Sequence, residues 1–267
     1  MGFNSNNKII CEEKESVATI TINAPDKMNA IELEMWAEIH KIMSRLSKEN
    51  SIRVVVFKGE GNKAFSSGAD ISRFAQERFN SKQAKNYASS GFWEGLKAVS
   101  SFPKPVLSLI QGFCIGGGIE LAASTDLRIA GESCKFGIPA AKLGLVAGHS
   151  ELRYFIQTIG PAKTKEMLFT GRLFSAEEML AAGFLTQVVP DTDVEKTTYE
   201  IAERIVSLSP MAHKWHKSFI NRILKDPGFS ELSEEDLDEE FECFNTDDFK
   251  EGVAAFLEKR KPEFRGR

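Results

Sequence analysis

The sequence predicts a layered α/β fold followed by a helical C-terminal region, and three observations carry that reading. Two cycles of strand, helix and strand succeed one another in the first half, a Gly-rich start opens the helix of the second, and strand signals cease beyond Pro190. In the first cycle VATITI, from Val17, alternates β-branched and small residues, while IRVVVF, Ile52 to Phe57, is a nearly continuous apolar run bounded by Ser51 and Gly59. Between them Leu33, Trp36, Ile39, Met43 and Leu46 recur at helical spacing. In the second cycle Pro103 and Pro105 introduce the strand VLSLI, Gly112 breaks it, GGGIELAAS reads as a helix and LRIA as the next strand.

After Phe136 the segment GIPAAKLGLVAG has no period and reads as a loop lining a pocket. A helix is expected from about Pro161, whose fixed φ suits a first turn. Ser175 to Ala182 reads as a short helix capped by Ser175 and stopped by Gly183, and LTQVV as a last strand. Residues 1–192 are accordingly expected to form the core and 193–267 a helical appendage. Within the latter, the carboxylate-rich block Ser230 to Glu242 reads as solvated helix faces, and the basic block Lys259 to Arg267 as an end segment or a phosphate contact.

Composition narrows the function. With 267 residues, 42% of them hydrophobic, the chain can bury a sizeable core, and a formal net charge of -4 speaks against a nucleic-acid partner. No apolar run is long enough to cross a bilayer, the opening MGFNSNNKIICEE lacks the pattern of an export signal, and Asn6 breaks the myristoylation pattern after Met1-Gly2. A cytoplasmic protein without a membrane partner is expected. Cys11, Cys114, Cys134 and Cys243 are too widely spaced for a redox pair or a zinc knuckle, and His213 and His216 lack further ligands, so no metal is expected.

The segment QGFCIGGGIELAAS places Gly112, Gly116, Gly117 and Gly118 between a strand and a helix start. Unpaired N–H groups and the positive end of the helix dipole suit an anion or oxyanion there, and glycine lets a ligand oxygen approach the backbone. Tight helix packing accounts for the glycines equally well. Neither GxGxxG nor GxxxxGK[ST] is present, so nucleotide binding has no support. Upstream, AFSSGADI follows another strand end. The amide of Ala69 is a candidate second donor converging with Gly117 on one oxygen, and Asp70 reads as a turn former.

Taken together, AFSSGADI, PKPVLSLIQGFCIGGGIELAASTDLRIA, FGIP and AAFLEKRKPEF resemble the enoyl-CoA hydratase/isomerase (crotonase) family from about Val17 to Phe264. The resemblance implies a crotonase-like spiral of ββα units with a C-terminal helical trimerisation region, assembled as a homotrimer or dimer of trimers. It implies an acyl-CoA substrate and no separate cofactor, CoA being part of the substrate. By position it assigns Ala69 and Gly117 as oxyanion-hole amides, with Gly116 beside them. Ala69, Asp70, Ile71 and Ser72 fall where the backbone meets CoA, although many relatives carry lysine at the position of Ser72. Met28, Asn29 and Ala30 match a second CoA-contacting segment, and Phe256 and Lys259 match tail residues that reach CoA from a neighbouring subunit.

Hydratases of this family use two glutamates. Glu120 matches the first, and Ala140, in FGIPAAKLG, occupies the place of the second. Glu120 lies three residues after Gly117 on the same helix face among apolar neighbours, where burial is expected to raise its pKa. His149, with Ser150 and Glu151, is a candidate replacement for the absent acid. The reading is therefore hydration of a 2-enoyl-CoA through an enolate-like species, with double-bond isomerisation by Glu120 and a catalytically silent acyl-CoA binding or scaffold protein as alternatives. Phe74, Phe79, Tyr87, Phe92 and Trp93 are candidate walls of the acyl pocket.

Overall fold

A computed structural model describes residues 8–267; the first seven, which hold the Met1, Gly2 and Asn6 of the N-terminal reading, lie outside the described residues. The strands β1 (Ile9–Lys14) and β2 (Val17–Ile22) pair antiparallel, with Ile9 opposite Ile22, and lead into helix α1 (Leu33–Leu46). Met35, Trp36, Ile39, Met43 and Leu46 form one buried stripe along α1, the consequence of their spacing of three and four.

From there the chain spirals. A first turn runs β3 (Val54–Gly59), β4 (Ala64–Ser66) and the helices α2 (Phe74–Glu77), α3 (Ser81–Tyr87) and α4 (Trp93–Ser100). A second runs β5 (Val106–Ile110), β6 (Phe113–Ile115) and α5 (Gly117–Ala123), and a third β7 (Leu127–Gly131), β8 (Lys135–Gly137) and α6 (His149–Thr170). The chain continues through β9 (Phe174–Ser175), α7 (Ala176–Ala181), β10 (Gln187–Val189), α8 (Val194–Val206), α9 (Pro210–Lys225), α10 (Glu234–Asp238) and α11 (Asp247–Glu258). Each turn gives one strand to a six-stranded sheet of order β1-β2-β3-β5-β7-β10 and the next to a four-stranded sheet of order β4-β6-β8-β9. Apart from β1 with β2 and β8 with β9, neighbouring strands are parallel.

The apolar run of β3 follows from burial on both faces. Val55 and Phe57 enter the main core with the stripe of α1, whereas Val54 and Val56 point the other way, joining Leu107, Leu109 and Ile129 beneath Val194 and Ala202 of α8. Each such side chain contributes about 1.5–3 kcal/mol on burial. Tyr199 of α8 also shares a 2.8 Å hydrogen bond with Thr19 of β2. The helical region expected from residue 193 therefore begins inside the core: α8 is the layer that closes the second face of the large sheet. Only from Pro210 do the helices leave that core, and no residue of α9 is buried.

Two further features were not read from the periodicity of the sequence. The second sheet was not foreseen, because β4, β6 and β8 have three residues each and show no alternation. The helix expected from Pro161 is present and follows a kink at Gly160 (φ 70°); the helical segment before it, starting at His149, was not expected. Among the described residues no helix is long and apolar enough to cross a membrane, and no group of three or more His, Cys, Asp and Glu is placed to hold a metal ion.

Candidate active site

Two backbone segments meet at the N-terminal end of α5. Ser66 to Ala69 leaves β4 and is fastened by three hydrogen bonds: Ser67 N–H to Met28 O (2.9 Å), Ile31 N–H to Gly68 O (2.7 Å) and Gly68 N–H to the buried Ser66 Oγ (3.1 Å). The approach to α5 demands glycine. At Gly68 (φ 97°) a β-carbon would lie 2.9 Å from Ile115 O and 3.2 Å from Gly117 N, and at Gly118 it would lie 2.6 Å from Ser66 O.

This contact brings the amides of Ala69 and Gly117 together, a β-carbon built on Gly117 falling 3.8 Å from Ala69 N. Gly117 opens α5, so its N–H has no partner in the helix. Among the described residues neither amide donates to another group. Gly116 differs: its N–H is held by Gly137 O at 2.9 Å.

Both amides border a cavity of about 150 Å³ that is also lined by Glu120, Gly116, Ile71, Ala140, Trp36, Phe74, Arg78, Tyr87, Phe92, Ile138 and Leu143. Trp36 and Phe92 meet edge to face, with ring centroids 5.1 Å apart. Of the five aromatics singled out as pocket walls, Phe74, Tyr87 and Phe92 line the cavity, Phe79 is exposed, and Trp93 turns its indole N–H to Glu151 Oε1 at 3.2 Å.

Glu120 is buried one turn below Gly117, and burial, reinforced by the nearby charge of Glu151, raises its pKa to about 8. Glu151 is the group that sequence reading undervalued. His149 and Ser150 are exposed at the start of α6, while Glu151 turns inward and also accepts the N–H of Gly148. Arg78 was not singled out at all, since nothing in the sequence distinguishes it from a surface arginine. Ala140 borders the cavity with a methyl group where the family pattern has a carboxylate.

The remaining predicted residues stand apart from the cavity. Asn29 is buried with its side chain fully engaged, donating to Glu60 O (3.0 Å) and Ala64 O (2.7 Å) and accepting from Ala24 N (3.1 Å). It pins the loop carrying Met28 and Ala30 and offers a ligand no side-chain group. Asp70 is held at a pKa of about 2 by Lys27, 2.6 Å away, and by the Ser72 hydroxyl. The turn former expected there caps the helical turn of Ile71–Arg73. Phe256 is exposed and Lys259 ends α11 in a left-handed conformation; neither borders this cavity in its own chain.

Parallel strands ending on glycine-rich turns, stacked in two sheets around paired free amides, define a crotonase-type α/β protein. The profile described as Enoyl-CoA hydratase/isomerase matches residues 12–267, and the chain belongs to that family as an enzyme of the enoyl-CoA hydratase type. It is 34% identical over 258 residues to the Short-chain-enoyl-CoA hydratase of Clostridium acetobutylicum, covering 96% of this chain and 97% of that one. It is 32% identical over 256 residues to the Crotonyl-CoA hydratase of Syntrophomonas wolfei, with 96% and 97% covered. Among solved structures, an enoyl-CoA hydratase/carnithine racemase from Magnetospirillum magneticum superposes with a TM-score of 0.94 at 40% identity, over 98% of this chain and 97% of that one.

The buried carboxyl makes stability depend on pH. Because the folded pKa of Glu120 lies above that of an exposed carboxylate, the native state holds this proton more tightly than the unfolded chain does. The resulting stabilisation is complete below about pH 4.5 and lost as the pH rises through about 8. Urea unfolding should show the Glu120→Gln variant gaining on the parent over that window, at up to about 1.4 kcal/mol per pH unit. A difference that stays constant with pH would contradict this.

Proposed function

We propose that the protein hydrates a short 2-enoyl-CoA, holding the thioester carbonyl between the Ala69 and Gly117 amides while Glu120 moves the proton. The observation that carries this reading is the pair of uncommitted amides at one end of a cavity whose buried carboxyl is Glu120. The size of the cavity favours a short acyl group, since about 150 Å³ holds a molecule the size of benzene.

In this scheme Glu120, as carboxylate, takes a proton from water as the water oxygen bonds to the β-carbon. The C=C electron pair moves towards the thioester, and the negative charge gathers on the oxygen facing the two N–H groups. Each such donor is worth about 2.7–4 kcal/mol to the transition state. Glu120 then returns the proton to the α-carbon, which closes the balance without a second acid at Ala140 and without a separate cofactor. Glu151 acts through Glu120 as a positioning residue, keeping its proton affinity near the operating pH.

CoA itself is assigned to the backbone of Ala69, Asp70, Ile71 and Ser72 and to the loop of Met28, Asn29 and Ala30, joined by Phe256 and Lys259 from a neighbouring subunit. The single carboxyl bordering the cavity also favours a second reading, in which Glu120 carries a proton between the α- and γ-carbons of a 3-enoyl-CoA. That reaction adds no water, so the product formed from each substrate separates the two.

Turnover of crotonyl-CoA should rise with pH through an inflection near 8, the pKa of Glu120, and should fall by about 10²–10⁴-fold in Glu120→Gln. Removing the neighbouring charge by Glu151→Gln should move the inflection to lower pH. Activity indifferent to Glu120→Gln, or an unmoved profile in Glu151→Gln, would contradict these roles.

We further propose a homotrimer or dimer of trimers. The C-terminal helices expose Ile220, Ile223, Leu224, Phe241, Phe249, Phe256 and Leu257, and a cleft of about 550 Å³ beside them is lined by Met211, Trp215 and Val253. Sedimentation at micromolar concentration should give three or six chains; a monomer would contradict the proposal.

A further inference from the structure

Three buried side-chain polar atoms lack a hydrogen-bond partner among the described residues, and two of them, Arg78 Nε and the Tyr87 hydroxyl, belong to residues lining the proposed acyl cavity. Buried polar groups are nearly always paired, so two such atoms in neighbouring residues that line one cavity point to an acceptor that arrives with the ligand. Arg78 follows α2 and lies between aromatic rings, its guanidinium carbon 3.4 Å from the ring centroid of Tyr87 and 4.5 Å from that of Phe74. Stacking on both rings fixes the plane of the guanidinium and leaves its N–H edge for a ligand.

Among the described residues no carboxylate lies at ion-pair distance from this cation, although its charge is felt by Glu120. Arg78 forms no ion pair among the described residues, and the acids around it are engaged elsewhere: Glu32, Glu34 and Glu77 all bind Arg73, at 2.9, 2.8 and 2.5 Å. Glu151 is held by Trp93 and Gly148. Glu120 shares the cavity, but its raised pKa leaves it largely protonated at neutral pH. A plain alkyl chain would bury the guanidinium edge and the phenol without partners, which is unfavourable. A carboxylate answers both, accepting from the planar fork of Arg78 and from Tyr87.

We propose that Arg78 and Tyr87 select acyl groups bearing a second, distal carboxylate, so that the substrate is a CoA monothioester of a short unsaturated dicarboxylic acid. This rests on the acyl-CoA reading above and specifies its substrate class. In it the apolar walls Trp36, Phe92, Ile138 and Leu143 enclose the carbon chain between the amide pair and the cation.

Calorimetric titration of the full chain with saturated thioesters, which cannot be hydrated, tests the idea. Succinyl- or glutaryl-CoA should bind about tenfold or more tightly than butanoyl- and pentanoyl-CoA, the scale expected of a charge-assisted hydrogen bond. Arg78→Met should abolish this preference while retaining affinity for pentanoyl-CoA, Arg78→Lys should keep part of it, and Tyr87→Phe should weaken it. If the two classes bind equally to the parent protein, or if Arg78→Met leaves their ratio unchanged, the distal carboxylate is refuted while acyl-CoA binding stands. If no thioester binds, both readings fall together.

Discussion

The site depends on one steric constraint: the segment leaving β4 and the first turn of α5 approach so closely that no β-carbon fits at Gly68 or Gly118. Close approach brings the backbone at Gly117 beside Ala69 N. Because Gly117 begins a helix and Ala69 lies beyond the end of its strand, ordinary secondary structure claims neither hydrogen. In the second turn of the spiral the strand β6 ends at Ile115 and α5 begins at Gly117, which sets this relation. In the proposed function, amides fixed by backbone would need no reorganisation as charge develops beside them.

Electrostatics around that pair are arranged in opposition. Burial and Glu151 raise the pKa of Glu120 against the opposing pull of Arg78, which lies against the aromatic faces of Phe74 and Tyr87 in the same cavity. A largely protonated acid and a cation without an ion pair among the described residues leave the cavity short of negative charge. The amides, the cation and the phenol all donate, and a ligand rich in acceptors completes them.

Legibility of the sequence followed the length of each periodic signal. VLSLI was readable residue for residue as β5 because a strand buried on both faces is an unbroken apolar run, and α1 declared itself through a stripe four turns long. Strands of three residues carry no period, so the second sheet was invisible, and the charged edge strand IICEEK of β1 likewise gave no pattern. The start of α6 was hidden by Gly148, which lacks a capping side chain, while Pro161 correctly marked the segment after the kink at Gly160. At the site, glycines and Glu120 adjoin in sequence and could be read together. Glu151, thirty-one residues further on, and Arg78, forty-two residues before it, come near Glu120 only through the spiral.

The most direct test is a crystal structure with a saturated, unreactive acyl-CoA bound. The account predicts the thioester oxygen about 2.7–3.1 Å from both Ala69 N and Gly117 N, with the acyl β-carbon facing the carboxyl of Glu120. A thioester oxygen lying elsewhere, or bonded to one of these amides while the other turns to a partner within the protein, would contradict it.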